Sequence, residues 1–257
     1  MKYTLAELAG MLDHSLLHPT MTDADLETGC AIAAKYHVAS VCIKPYWVER
    51  TRELLAGTGV AVGTVIGFPH GGNTTQVKRY ETEAACREGA TEIDMVVNIG
   101  KVLSGDWNYV EEDVRAVVEE AHRHNAIVKV IFETDYVTND VDKVHLCEIC
   151  ERVGADYVKT STGYGFVKGA DGKYSYQGAT EHDLKLMRDS CSPNVKLKAA
   201  GGVRDLDTLI CCRDLGVDRV GATATAVMLD EYVRRARLSQ NEVSETAAEA
   251  LLGTGGY

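Results

Sequence analysis

Nowhere in the 257 residues does an apolar run approach the roughly 20 residues needed to span a bilayer. Positive charge is also in short supply. The 27 basic residues face 38 acidic ones, a formal net charge of −11, which argues against general affinity for nucleic acid or anionic membranes. A small anionic substrate held by a local cluster of donors remains compatible with that balance. The opening Met-Lys-Tyr-Thr-Leu-Ala-Glu-Leu-Ala-Gly has no secretion-signal core. The eight cysteines are scattered along the chain instead of clustering in a short loop-rich framework, so the expectation is reduced thiols and a cytoplasmic location. No linker, internal repeat or low-complexity stretch interrupts the series. The chain reads as one domain over 1–257, long enough to bury a full core.

What fills the chain is a strict alternation of short apolar runs with amphipathic segments. Strands are expected at 11–16, 39–43, 60–67, 92–98, 127–132, 156–161, 195–200 and 218–222. Helices are expected at 22–36, 46–56, 74–88, 107–124, 139–153, 180–190, 204–215 and 223–236, with a lead-in helix at 4–9. Thr22 before Asp23 and Asp25, and Asp106 before an acidic turn, look like N-caps, while Gly89, Gly154 and Gly216 sit where helices stop. Strict alternation implies a parallel sheet with right-handed crossovers. Eight such units point to an α/β fold, a closed (β/α)8 TIM barrel. An open doubly wound sheet is second choice, because no Gly-x-Gly-x-x-Gly turn follows the first strand. Two stretches depart from the rhythm. Asp171-Gly172, flanked by Phe166, Val167, Tyr174 and Tyr176, predicts an extra hairpin over 165–178. From Leu238 an acidic tail runs to Gly-Thr-Gly-Gly-Tyr257, with too few apolar residues to pack firmly.

The rest is organised around Asp-Tyr-Val-Lys-Thr-Ser-Thr-Gly, residues 156–163. A strand between two helices is buried on both faces, and an ammonium there is costly unless paired or deprotonated. A lysine at a strand end reaching solvent, or half of a structural ion pair, is the plainer explanation for Lys159. Its neighbours weigh against that. Alternation puts Tyr157, Lys159 and Ser161 on one face, Glu92, Asp94 and Val96 on another, then Lys129 with Ile131 and Glu133, and Lys196 with Lys198. Four successive strands thus carry ionisable residues in apolar surroundings. Such a cluster suits amine catalysis. A lysine attacks a carbonyl only as the free amine, and burial beside a second ammonium disfavours its charged form. At roughly 5 Å and an effective dielectric near 20, two such charges repel by about 3 kcal/mol, about 2 pKa units. An aspartate between them can hold the charged lysine and pass protons.

These stretches resemble the deoxyribose-phosphate aldolase family. The likeness lies in 156–163, in Val-Lys-Leu-Lys-Ala-Ala-Gly-Gly-Val-Arg (195–204) and in Glu-Ile-Asp-Met-Val-Val-Asn-Ile-Gly (92–100). Leu-Asp-His-Ser-Leu-Leu-His-Pro-Thr (12–20), Ser-Val-Cys-Ile-Lys-Pro (40–45) and Gly-Phe-Pro-His-Gly (67–71) continue it over almost the whole chain. The resemblance implies a class I aldolase, without metal or other cofactor, that cleaves 2-deoxy-D-ribose 5-phosphate to glyceraldehyde 3-phosphate and acetaldehyde and runs the reverse. It implies Lys159 as the Schiff-base lysine, Lys198 as the second lysine that lowers its pKa, and Asp94 as the proton-handling aspartate. Tyr257 matches a tail tyrosine that assists proton transfer, with a solvated tail as the alternative. The partners so implied are a sugar phosphate and aldehydes, in a homodimer or homotetramer, with no nucleic acid and no membrane.

The phosphate end is expected at the loops after the last two strands, where backbone N–H groups meet helix N-termini. Gly201-Gly202 leading to Arg204, and Gly221 leading to Thr223, fit that placement, joined by Thr160 and Gly163. Tyr164 stands where some family members carry a lysine, and Lys168 or Lys173 of the hairpin is a candidate replacement cation. Asp13 with His14 is expected to support the barrel rim, Cys42 to border the site, and Lys129 and Glu133 to support it. The Cys147-x-x-Cys150 spacing with His145 reads as a packed helix face, since no second pair stands at zinc-site spacing. Of Cys211-Cys212 one is expected to be exposed. Two rivals remain: a Schiff-base barrel aldolase with a different or non-phosphorylated acceptor, and a catalytically silent sugar-phosphate-binding barrel.

Overall fold

The computed structural model describes residues 2–252, with side chains described through Leu238. Tyr257 lies outside the described residues. After a short helix α1 (Leu5–Ala9), eight barrel strands alternate with helices: β1 (Leu12–Leu16), α2 (Asp23–Tyr36), β2 (Ser40–Ile43), α3 (Val48–Leu54), β3 (Ala61–Ile66), α4 (Thr75–Glu88) and β4 (Glu92–Val96). The chain continues through α5 (Ile99–Leu103), α6 (Trp107–Arg123), β5 (Ile127–Ile131), α7 (Asp140–Val153) and β6 (Tyr157–Lys159). A two-stranded hairpin, β7 (Val167–Lys168) and β8 (Tyr174–Ser175), precedes α8 (Glu181–Asp189), β9 (Lys196–Ala200), α9 (Leu206–Asp214), β10 (Arg219–Ala222) and α10 (Thr225–Leu252). The strands close into an all-parallel barrel in the order β1-β10-β9-β6-β5-β4-β3-β2. All eight strands expected from the sequence are present, and the barrel is the α/β fold that their alternation implies.

Local chemistry sets the helix limits. Thr22 and Asp25 form a reciprocal capping box at the start of α2, and Asp106 accepts the Tyr109 N–H at the start of α6. Gly89 and Gly154 end α4 and α7 in the left-handed conformation, at φ 116 and 77. The segment expected as one helix over 46–56 is a 3-10 turn at Pro45–Trp47 followed by α3, and α5 was not anticipated. The largest departure is α10. Its backbone stays helical to Leu252, well past the expected stop at 236 and into the presumed tail. Between 239 and 252 the sequence has neither glycine nor proline and is rich in alanine, glutamate and leucine, so intrinsic propensity carries the helix until Gly253.

Period-two alternation then sorts the strand residues. Ile93 and Met95 of β4, Val128 and Val130 of β5, Val158 of β6, and Leu197 and Ala199 of β9 join the apolar layer between barrel and helices. Each fully buried aliphatic contributes about 1.5–3 kcal/mol. Residues of opposite parity point into the barrel, and there the sequence places charge. Two buried ion pairs fasten the helix shell as well. Lys78 of α4 donates to Asp113 of α6 at 2.5 Å and to the carbonyl of Val96 at 2.9 Å, and Lys143 of α7 meets Asp183 of α8 at 2.5 Å. No helix among the described residues is long and apolar enough to cross a membrane.

Candidate active site

Lys159 of β6 and Lys198 of β9 are direct partners across adjacent strands, so their side chains enter the barrel together. Both reach one atom. Asp94 Oδ2 accepts from Lys159 Nζ at 2.6 Å and from Lys198 Nζ at 2.7 Å, so the two amines can stand no farther apart than those two bonds laid end to end. Asp94 is fully buried, Lys198 likewise, and Lys159 is 3 % exposed. The other carboxylate oxygen of Asp94 takes Lys129 at 3.0 Å. Lys129 also meets Glu92 at 2.6 Å and Asp13 at 3.0 Å, while Lys198 meets Asp13 at 2.5 Å. Arg219 closes the figure by bonding both Asp13 and Glu92, the latter at 2.5 Å.

These contacts split the lysines. Burial lowers the pKa of Lys159 below the ordinary lysine value; Asp94 pulls the other way, but the adjacent Lys198 adds to the lowering. Burial also works against charge on Lys198 and Lys129, yet Asp13 and Asp94 outweigh it in both and hold their pKa values above the usual one. For Asp94 burial is likewise overcome, by Lys129, Lys159 and Lys198, which keep its carboxyl well below the usual range. The arrangement therefore makes Lys159 the easiest of the three amines to discharge, beside two ammonium groups and an ionised aspartate.

Several expectations need correction. Asp13 does not brace the rim; it is fully buried inside the barrel between Lys129, Lys198 and Arg219. His14 turns the other way, its Nδ1 2.9 Å from Thr225 Oγ1 at the start of α10, and burial pushes its pKa down to about 4. Thr160, expected at the phosphate end, is fully buried, and its hydroxyl donates to the Ala200 carbonyl and accepts the Ala200 N–H, both at 3.1 Å. It ties β6 to β9. Gly221, expected in a phosphate turn, lies within β10, where an added Cβ would sit 3.4 Å from Lys198 Cε. Lys196 is exposed, its ammonium 5.6 Å from the Tyr157 ring centre, and takes no part in the cluster.

Cys42 does border the site, its thiol 4.0 Å from Asp94 Oδ2; burial, with Asp94 adding to it, pushes its pKa up to about 11 and keeps it protonated. Glu133 lies just past β5 at φ 57 and accepts from the Thr162 N–H and hydroxyl, which anchors the loop holding Gly163. Burial raises its pKa. Cys147 and Cys150 are buried in α7 and His145 stacks on Trp107 at 4.2 Å, a packed helix face as expected. Cys211 is exposed and Cys212 buried.

Around the mouth, Gly201 and Gly202 hold successive φ values of 85 and 87, and Arg204 and Thr223 are exposed beside them. Here the hairpin arrives. The Ala179 N–H donates to the Gly201 carbonyl at 3.1 Å, and a Cβ on Gly178 would strike the Gly201 backbone at 2.6 Å, so only glycine fits. The hairpin residue that reaches Arg204 is Tyr176, whose hydroxyl accepts a 2.7 Å hydrogen bond from it; Lys168 and Lys173 stay exposed. Tyr164 meets Phe68 edge-on at 5.6 Å over an open cleft of about 340 Å³, lined also by Leu17, Pro19, Lys44 and Pro69. Arg219 is the site residue that sequence reasoning missed.

Comparison with known proteins agrees with this geometry. The chain is 48% identical over 255 residues to a deoxyribose-phosphate aldolase of Rhodopirellula baltica, covering 99% of each, and 44% identical over 227 residues to one of Clostridium perfringens, covering 88% of this chain and 96% of that one. Among solved structures, a putative deoxyribose-phosphate aldolase from Coccidioides immitis superimposes with a TM-score of 0.81 at 33% identity, over 90% of this chain and 87% of that one. A tetrameric deoxyribose phosphate aldolase from Aeropyrum pernix gives 0.79 at 27% identity, over 89% and 92%. The model of the DeoC/LacD family aldolases matches residues 8–214, the span that carries both lysines and Asp94, and the chain belongs to that family.

Proposed function

We propose that this protein is a class I deoxyribose-phosphate aldolase, cleaving 2-deoxy-D-ribose 5-phosphate reversibly to D-glyceraldehyde 3-phosphate and acetaldehyde. The observation that carries the reading is the pair of buried lysines sharing one oxygen of Asp94, in a chain whose curated relatives bear that name. In this reading Lys159 attacks the sugar aldehyde as a free amine. Loss of water from the carbinolamine leaves an iminium on Nζ, and the positive charge then stands 2.6 Å from Asp94. The resting site disfavours that charge and the intermediate regains it beside a fixed carboxylate. As the C3 hydroxyl gives up its proton to the ionised carboxylate of the site, the iminium draws the electrons of the breaking C2–C3 bond, glyceraldehyde 3-phosphate departs, and the enamine left on Lys159 is protonated and hydrolysed to acetaldehyde. Asp94, held ionised, passes protons at the carbinolamine, and charged Lys198 is the adjacent acid.

The phosphate would lie against Gly163, Gly201 and Gly202, with Arg204 and Thr223 at its edge and Tyr176 orienting Arg204. Gly221 and Thr160 serve packing in this scheme. Tyr257 is a candidate for proton transfer at the acetaldehyde carbon by resemblance to the family. The tetrameric relative supports a homo-oligomer, a dimer or tetramer. One domain over 1–257 and a cytosolic location, with all eight cysteines as free thiols, complete the proposal. The test is turnover of 2-deoxyribose 5-phosphate against 2-deoxyribose, with and without a chelator. Chelator-insensitive activity with strong preference for the phosphorylated sugar is expected. Equal turnover of both sugars would favour the non-phosphorylated-acceptor reading, and loss with chelator would overturn the Schiff-base route.

A further inference from the structure

The barrel interior holds an uneven number of charges. Lys129, Lys159, Lys198 and Arg219 bring four cationic side chains to the three carboxylates they ion-pair with, Asp13, Glu92 and Asp94, while Glu133, whose pKa burial raises, is hydrogen-bonded by Thr162 and stands outside that ion-paired set. All three carboxylates are at most 5 % exposed, so bulk water contributes little to the balance. Arg219 opens β10, as the strand partner of Lys198, and its guanidinium bridges Asp13 and Glu92. Three chains of contact lead from there to Asp94, through Asp13 and Lys198, through Asp13 and Lys129, and through Glu92 and Lys129. Of the four cations, a guanidinium does not give up its proton in a protein, whereas a buried amine does.

We infer that Arg219 is a positioning residue of this site: by claiming Asp13 and Glu92 it supplies the fixed fourth cation that makes Lys159 the amine that stays uncharged. The inference rests on the aldolase reading of Lys159 and adds a residue that does not touch substrate. The titratable and charged groups acting on Lys159 come from five strands: Asp94 from β4, Lys198 from β9, Cys42 from β2, and Lys129 and Glu133 from β5 and its end, with Asp13 of β1 behind Lys198. Of these, Asp94 opposes the neutral amine at contact distance. Without Arg219 the three carboxylates face three lysines, and all of them can remain ammonium. With Arg219 in place, a charged Lys159 is the surplus. A side chain that only knitted β10 to β1 and β4 would leave the protonation of Lys159 unchanged.

The test uses Arg219→Gln, which keeps one amide donor group but neither the fork nor the charge, and Arg219→Lys, which keeps the charge without the fork. The readouts are the pH profile of kcat/KM and, in parallel, the pH dependence of borohydride trapping of acetaldehyde on Lys159. In Arg219→Gln both acid limbs move up by about one pH unit, roughly the effect of one charge some 10 Å away. Activity on the acid limb then falls about tenfold and returns at higher pH, while Arg219→Lys keeps its limb near that of the parent. Because Arg219→Lys carries the charge independently, poor folding of Arg219→Gln still leaves a prediction to fail. Acid limbs that stay put in Arg219→Gln, with kcat/KM reduced evenly at every pH, overturn the inference, and so does a shifted limb in Arg219→Lys. No trapping on Lys159 in the parent at any pH would remove the aldolase reading itself, and the inference with it.

Discussion

The inside of the barrel and the rim beyond β6 and β9 handle polar groups in opposite ways. Inside, six charged side chains are buried and a seventh, Arg219, is 13 % exposed, each with named partners at 2.5–3.0 Å or closer. On the rim the partners are backbone groups, glycine turns, the exposed Arg204 and the half-buried Tyr176. In the interior the loss of one charge leaves another unpaired in low dielectric, which costs about 3–5 kcal/mol. At the rim, water replaces a lost partner for about 1 kcal/mol. Chemistry is therefore concentrated where geometry is over-determined, and substrate selectivity where it is adjustable.

Four experiments break or sharpen that contrast. The largest effect belongs to Lys159→Leu, where activity falls by at least about 10⁴-fold while the fold stays intact by circular dichroism; residual turnover near the parent rate would remove the lysine from the chemistry. Asp94→Asn follows, with kcat down about 10²–10³-fold. It leaves the two lysines without their shared anion, and steady-state kinetics check it. Asp113→Ala tests a buried pair that lies outside the site. Lys78 is left unpaired and stability falls by about 3–5 kcal/mol in denaturant titration, with kcat per folded molecule unchanged. The smallest effect is Tyr176→Phe. KM for the phosphorylated sugar rises about fivefold, kcat holds, and the unphosphorylated sugar shows no change. The exposed hairpin lysines set the baseline, since Lys168→Ala with Lys173→Ala leaves both constants alone.

The pH dependence follows from the interior as well. Burial lowers the Lys159 pKa, so its reactive free amine is lost as pH falls through that depressed value and is present above it. The rate should therefore rise across an acid limb lying below the ordinary lysine value of 10.5. A limb at or above that value would deny the lowering.

Much of this was readable before the structure. Alternation alone put Lys159, Lys198, Asp94 and Lys129 on single strand faces in apolar surroundings, because successive side chains of a strand have only two directions; it also set Lys196 with Lys198, and Lys196 is exposed at the start of β9. Arg219 was missed for a topological reason. It meets Asp13 only because β10 pairs with β1 and closes the barrel, joining residues some 206 positions apart. Thr160 was misplaced because it lies just past a strand end, where alternation stops applying, and Glu133, just past β5, holds the Thr162 loop from a left-handed backbone that no residue pattern announces. The continuation of α10 was misread because the acidity and scarcity of apolar residues after Leu238 were taken as the end of the helix, whereas alanine-rich propensity sustained it.

The central claim is that a buried amine at position 159, discharged by its surroundings, bonds to an aldehyde. Its most direct measurement is peptide mass spectrometry after borohydride reduction of the protein with acetaldehyde at neutral pH. One added ethyl group, on Lys159 alone and unaffected by chelator, is the result the account predicts. An unmodified Lys159, or an ethyl group placed on Lys198 or Lys129 instead, would contradict it.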